Sequence, residues 1–192
     1  MNPLELTGFA TGVIGVWLTI RRHVWCFPVG LINVAISLYL FYTQQLYADS
    51  LQQLVYIPLL IFGWREWHLG KTEQSIQPER LHEGSHNISA LTLLLLFIGG
   101  GSLLGFLLHQ YTDASFPWPD SFATCGAFIA QYLVARKKIE NWAIWILVNL
   151  AYIFIYLQKE LYLYAALFAG YLVLAIYGYL DWKKRLTPTP HG

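Results

Sequence analysis

Seven long apolar segments, separated by short polar or charged stretches, dominate the sequence. Each segment is close to the roughly 20 residues that a helix needs to cross the hydrocarbon core of a bilayer. Charged residues make up only 12% of the chain, whereas soluble domains carry about 25%. We therefore expect an all-α integral membrane protein with seven transmembrane helices, at residues 4–20, 25–42, 51–67, 89–108, 119–135, 141–158 and 161–181.

The positions of the lysines and arginines predict the orientation of these helices. All of them except Lys159 fall on one side of the predicted membrane, and loops rich in Lys and Arg remain in the cytoplasm. We therefore expect the N-terminus outside and the C-terminus in the cytoplasm. No basic residue precedes the first segment, which leads directly into further spans, so we do not expect it to be cleaved as a signal peptide.

The chain repeats itself at an offset of 115 residues. This offset pairs Tyr56 with Tyr171, Gly63 with Gly178 and Trp67 with Trp182, and a one-residue slip brings Asn33 opposite Asn149. Within a single membrane domain, 1–192, the repeat predicts a 3+1+3 arrangement: a triple-helix bundle at 4–67, a connecting helix at 89–108 and a second triple-helix bundle at 119–181. Equivalent helices would point the same way through the membrane, which is one of the repeat arrangements that transporters use.

One face of the sixth segment carries a polar stripe, within an arc of about 80° at 100° per residue, formed by Trp142, Trp145, Asn149, Tyr152 and Tyr156. At a rise of ~1.5 Å per residue, Asn149 lies about 12 Å deep in the membrane. A buried amide there needs a polar partner. Asn often supplies hydrogen bonds between membrane helices, but its recurrence at Asn33 and its place in the stripe favour a substrate site at the repeat interface.

Three glutamines and a threonine are weaker candidates for the same site. Gln52 and Gln53 begin the third segment, and Gln131 lies seven residues after Thr124 on one face of the fifth. Each of these side chains could equally bond across helices. Indole rings beside an amide would suit a flat, hydrogen-bonding ring, especially a delocalised cation.

The sequence also lacks the features of several other function classes. All acidic and basic residues lie in loops or near segment ends, whereas ion-coupled carriers usually keep an ionisable group within the membrane. The two cysteines, Cys26 and Cys125, signal neither a disulfide nor a metal site. We find no catalytic or cofactor motif and expect neither an enzyme nor a nucleic-acid-binding protein. Facilitated diffusion is the simplest prediction, and a membrane receptor that binds its ligand without transporting it is the alternative.

Three stretches resemble the PnuC family of bacterial vitamin transporters: "FPVGLINVAISLYLFYTQQLYADSLQQLVYIPLLIFGWREW", "ARKKIENWAIWILVNLAYIFIYLQKELY" and "YGYLDW". The family's WxxWxxx(N/D) signature is present as Trp142, Trp145 and Asn149. The resemblance implies a SWEET-like fold, a homotrimer in the bacterial inner membrane, and a substrate site lined by the signature. It also implies facilitated diffusion, with a cytoplasmic kinase trapping the product for NAD biosynthesis.

The resemblance leaves two substrates open, nicotinamide riboside and thiamine. Both are cations with a flat heteroaromatic ring. Asn149 occupies the N/D position of the signature, and the carboxamide and ribose of nicotinamide riboside could pair with Asn149 and a glutamine. Thiamine's aminopyrimidine often prefers a carboxylate partner. We therefore expect nicotinamide riboside, with thiamine as the alternative.

Overall fold

The computed structural model describes residues 3–43, 47–69, 77–81, 88–112 and 115–186. Within these ranges the chain forms seven α-helices: α1 (Pro3–Ile20), α2 (Cys26–Thr43), α3 (Tyr47–Leu69), α4 (Ala90–Tyr111), α5 (Pro117–Ala135), α6 (Glu140–Gln158) and α7 (Tyr162–Leu186). Each predicted segment coincides with one helix, and the ends differ by only a few residues. The predicted seven-helix fold is therefore confirmed. Lys71, one of the residues that predict the orientation, lies outside the described residues.

Among the described residues, four helices are long and apolar enough to cross a membrane, judged by length and composition: α2, α4, α6 and α7. A shorter apolar stretch, Leu6–Ile20, makes up most of α1. α3 carries Asp49 in its first turn and Pro58 in its interior, and α5 carries Asp120 in its first turn. Length and composition therefore identify four candidate membrane spans among the seven helices of the described residues.

The chain divides into two compact units. Unit 1 contains Met1–Gln77 and Val134–Lys137, and unit 2 contains Pro78–Leu133 and Lys138–Gly192. In unit 1, α2 packs against both α1 and α3, and in unit 2, α6 packs against α7. The 3+1+3 arrangement stays a prediction.

Aromatic rings of α5 pack over glycines of α4 within unit 2. A Cβ atom at Gly101 would lie 2.4 Å from the Phe122 ring, and one at Gly105 would lie 2.6 Å from the Trp118 ring. Glycine leaves the space that these rings fill, as small residues do where membrane helices pack. The glycine-rich face of α4 therefore serves as its contact with α5.

In unit 1, α3 holds the short 134–137 segment. The Trp67 indole donates hydrogen bonds to the backbone oxygens of Val134 and Ala135, both at 3.1 Å. The Arg136 guanidinium forms an ion pair with Glu66 at 3.0 Å and lies over the Phe62 ring, 5.0 Å from its centroid. These contacts explain why the last two residues of α5 and the two residues after them belong to unit 1.

The two units repeat the same packing at the offset of 115 residues. In unit 1, Phe27 meets Trp67 edge to face, with ring centroids 5.0 Å apart, beside Gly63. The equivalent residues of unit 2 are Trp142, Trp182 and Gly178, and they show the same T-shaped arrangement. The turns that precede α2 and α6 also agree, because Arg22 and Lys137 both adopt a φ of 58°. The sequence repeat is therefore a repeat of tertiary packing.

Candidate functional site

Trp142 begins the polar stripe in the first turn of α6, where it is 2% exposed. The far edge of its ring fills the space above Gly178 of α7. The Trp142 and Trp182 rings form a T-shaped pair with an interplanar angle of 89°. The buried indole Nε1 of Trp142 has no hydrogen-bond partner among the described residues. The ring is thus fixed by packing while its polar atom remains unpaired.

Asn149 lies two helical turns further along the same face of α6. It is 4% exposed, and within the described part of the chain its amide forms no hydrogen bond. The amide atoms are not among the fully buried unpaired polar atoms of the described residues, so they keep a small accessible surface where a hydrogen-bonding ligand or water can bind. Asn149 therefore has the features expected of a ligand-binding residue.

Tyr152 lies one turn beyond Asn149 and is held from two sides. Its hydroxyl lies 3.3 Å from the Thr124 hydroxyl of α5, and its ring contacts Phe168 of α7 with centroids 4.8 Å apart. Tyr156, the last residue of the stripe, stacks on Tyr152 at 6.1 Å. The stripe thus ends in an aromatic cluster between α6 and α7.

Trp145 lies between Trp142 and Asn149 in the stripe. It is half-buried, whereas Trp142, Asn149 and Tyr152 are buried. The structure therefore brings together four of the predicted site residues on one helix of unit 2.

The start of α6 is fixed by the 77–81 segment. The Lys138 ammonium forms an ion pair with Glu79 at 2.8 Å and donates to the backbone oxygen of Arg80 at 3.2 Å. The backbone N–H of Ile139 donates to the backbone oxygen of Glu79, and that of Leu81 donates to Oε1 of Glu140. These bonds connect the turn before Trp142 to the 77–81 segment, which also belongs to unit 2 except for Gln77.

Asn141, which the sequence prediction missed, lies directly before Trp142. It is fully buried, its Nδ2 donates to the backbone oxygen of Lys138 at 2.6 Å, and its Oδ1 has no partner among the described residues. Its position next to the signature is the one sequence feature that could have indicated it.

Asn33 has a different environment from Asn149. Its Nδ2 donates to the backbone oxygen of Gly8 at 2.6 Å and to the Thr11 hydroxyl at 3.2 Å. This is the interhelical bonding that Asn commonly provides in membrane bundles.

The one-residue slip that pairs Asn33 with Asn149 is wrong. At the offset of 115, Asn33 corresponds to Val148 and Thr11 corresponds to Gly126. Gly126 and Val148 are also neighbours, because a Cβ at Gly126 would lie 2.9 Å from Val148. α2 is a continuous helix, so the register cannot shift within it. The residue equivalent to Asn149 is therefore the buried Val34.

The three glutamines remain predictions. Gln52 and Gln53 lie in α3 and Gln131 lies in α5, and all three are half-buried. None of them forms a hydrogen bond within the described ranges.

The family of the chain follows from a comparison with known proteins. A sequence model of the family described as nicotinamide mononucleotide transporter matches residues 2–184. The chain belongs to this family. It is therefore a multi-pass membrane transporter, and the resemblance to PnuC is confirmed by relatives of that name.

Curated relatives in this family carry two different substrate names. The riboflavin/roseoflavin transporter RibM of Streptomyces davaonensis is 25% identical over 94% of this chain and 84% of its own. The nicotinamide riboside transporter PnuC of Neisseria mucosa is 27% identical over 95% of this chain and 74% of its own, and PnuC of Escherichia coli is 23% identical over 84% and 77%.

A solved structure has the same fold. The crystal structure of the vitamin B3 transporter PnuC superposes with a TM-score of 0.74 at 24% identity, over 96% of this chain and 83% of the other. The family members and this chain therefore share one helical fold.

Proposed function

We propose that this transporter takes up nicotinamide riboside by facilitated diffusion through alternating access. The observation that carries the proposal is Asn149, a buried residue whose amide has no hydrogen-bond partner among the described residues, in a chain that belongs to a family of transporters. The relatives named as nicotinamide riboside transporters support the substrate.

The chemistry of the stripe suits this substrate. The Asn149 amide can both donate and accept a hydrogen bond, which matches the carboxamide of nicotinamide. The half-buried Trp145 supplies an electron-rich ring face that attracts a delocalised cation, and the pyridinium ring of nicotinamide riboside is such a cation. Trp142 contributes its indole N–H, which has no partner among the described residues. We propose these three residues, with Tyr152, as the substrate-binding residues.

The distribution of charge supports diffusion without a coupled ion. Acidic and basic residues of the described helices lie near helix ends, such as Asp120 and Glu140 in first turns and Lys183 in a last turn. Ion-coupled carriers usually keep an ionisable group within the membrane. A cytoplasmic kinase that phosphorylates the product would make uptake effectively one-way. We place the protein in the inner membrane, as a homotrimer, with its N-terminus outside.

Riboflavin is a second candidate substrate, favoured by the similarity to RibM over nearly the whole chain. Its isoalloxazine ring is flat and hydrogen-bonding but uncharged. Thiamine, a cation, remains the third candidate. Riboflavin therefore differs from nicotinamide riboside and thiamine in carrying no positive charge.

The test is uptake of labelled nicotinamide riboside, thiamine and riboflavin into proteoliposomes without an ion gradient. We expect nicotinamide riboside to enter until its inside and outside concentrations are equal. Accumulation beyond that level would contradict facilitated diffusion. Uptake of only another vitamin would overturn the substrate, and saturable binding without flux would support a receptor.

A further inference from the structure

The hydroxyl of Thr124 is bonded differently from several other helix hydroxyls among the described residues. Those of Thr7, Thr11, Thr19 and Ser121 each donate to the backbone oxygen four residues earlier in the same helix. Thr124 bonds instead to the Tyr152 hydroxyl of α6. Both residues are buried, at 7% and 9% exposure.

This bond adds a polar contact to the ring contacts of the Tyr152 side chain. Phe168 and Tyr156 restrict the ring of Tyr152, but ring contacts alone do not orient its hydroxyl. The Thr124 hydroxyl, 3.3 Å away, is a hydrogen-bond partner for it, and either atom can be the donor. This contact lies one helical turn from Asn149, whose amide has no hydrogen-bond partner among the described residues.

The repeat indicates that the Thr124–Tyr152 contact is not part of the packing that both units share. At the offset of 115, Thr124 corresponds to Phe9, Tyr152 to Ser37 and Asn149 to Val34. Unit 1 therefore replaces the threonine by a ring and the asparagine by an apolar side chain. The Thr124–Tyr152 pair occurs in the unit that carries Asn149.

We infer that Thr124 is a positioning residue, which orients the Tyr152 hydroxyl toward a neutral hydrogen-bonding group of the substrate, a hydroxyl or a carboxamide. The inference rests on the proposed function. It assigns a specific role to Thr124, a weaker sequence candidate on α5.

The test compares Thr124→Val, which keeps the side-chain shape and removes the hydroxyl, with Thr124→Ser, which keeps the hydroxyl. Ser37→Ala, at the position equivalent to Tyr152, is the control. For uptake into proteoliposomes we expect Thr124→Val to raise KM about two- to tenfold, the effect of one lost hydrogen bond, with the maximal rate unchanged. Thr124→Ser and Ser37→Ala should keep the wild-type KM.

Two results would overturn the positioning role: an unchanged KM in Thr124→Val, or an equal rise in Thr124→Ser, which would indicate packing. A fall in thermal stability alone would also indicate packing. If the wild type moves thiamine or riboflavin instead, the same comparison is made with that vitamin, and only the substrate assignment fails. If it moves none of the three, the proposed function and this inference both fail.

Discussion

Trp142 meets Trp182 edge to face, with ring centroids 5.5 Å apart and ring planes at 89°. Phe27 and Trp67 form the same pair 115 residues earlier, at 5.0 Å and 89°. Gly63 lies one turn before Trp67 and leaves room for the Phe27 ring, and Gly178 lies one turn before Trp182 and leaves room for the Trp142 ring. The signature tryptophan is therefore also a structural element of the repeat.

Gly178→Ala should destabilise unit 2. The added Cβ would lie 2.6 Å from the Trp142 ring, and overpacking of this kind costs about 1–3 kcal/mol. Thermal unfolding in detergent measures the loss. Gly170→Ala on the same helix is the control, because a Cβ there meets nothing within 4 Å. Equal unfolding temperatures for the two variants would contradict the packing.

Trp142→Phe should separate packing from binding. Phe27 fills the equivalent position in unit 1 and packs edge to face against Trp67, so a phenyl ring there is compatible with the fold. The variant loses the indole N–H, which is buried without a partner. We expect a small change in unfolding temperature and a rise in KM of about two- to tenfold, corresponding to one hydrogen bond.

The exposed Trp64 provides the control for this substitution. Trp64→Phe should leave KM unchanged. An unchanged KM in Trp142→Phe as well would remove Trp142 from the proposed site.

Glu79→Ala should destabilise the protein more than Lys138→Met. The Lys138 side chain is 6% exposed and that of Glu79 is 46% exposed, so removal of Glu79 leaves a buried ammonium without its counter-charge. Lys138→Met removes that charge and retains an apolar stem of similar length. Breaking one side of a buried pair is more costly than replacing the charge by an apolar group. Thermal unfolding of both variants measures the difference, and the reverse order would show that the ion pair is not what fixes the 77–81 segment.

The sequence was sufficient to predict the helices because lipid demands long apolar runs, and these leave a clear pattern even where Pro58 or Asp120 interrupts it. It was also sufficient for the repeat offset, since Gly63 and Gly178 serve the same close ring contact. The apolar runs are local features of the sequence, and the repeat offset depends on a single glycine contact in each unit.

The register at Asn33 could not be predicted from residue identity. Asparagine serves both as a bond between helices and as a ligand contact, and only the partners of each side chain distinguish the two uses. Asn33 has Gly8 and Thr11 as partners, whereas Asn149 has none in the described ranges. The contact between the 77–81 segment and Lys138 could not be predicted from the sequence either, because it joins residues far apart in the chain.

The measurement that tests the central proposal most directly is nicotinamide riboside uptake into proteoliposomes by the wild type, Asn149→Ala and Asn33→Ala. Asn149→Ala should lower the rate at limiting substrate by about tenfold or more, since a hydrogen-bonding amide contributes roughly that factor. Asn33→Ala should keep the wild-type rate and lose stability of about 1 kcal/mol, because its amide bonds α1 to α2. Wild-type uptake by Asn149→Ala in a correctly folded protein would contradict the proposed site.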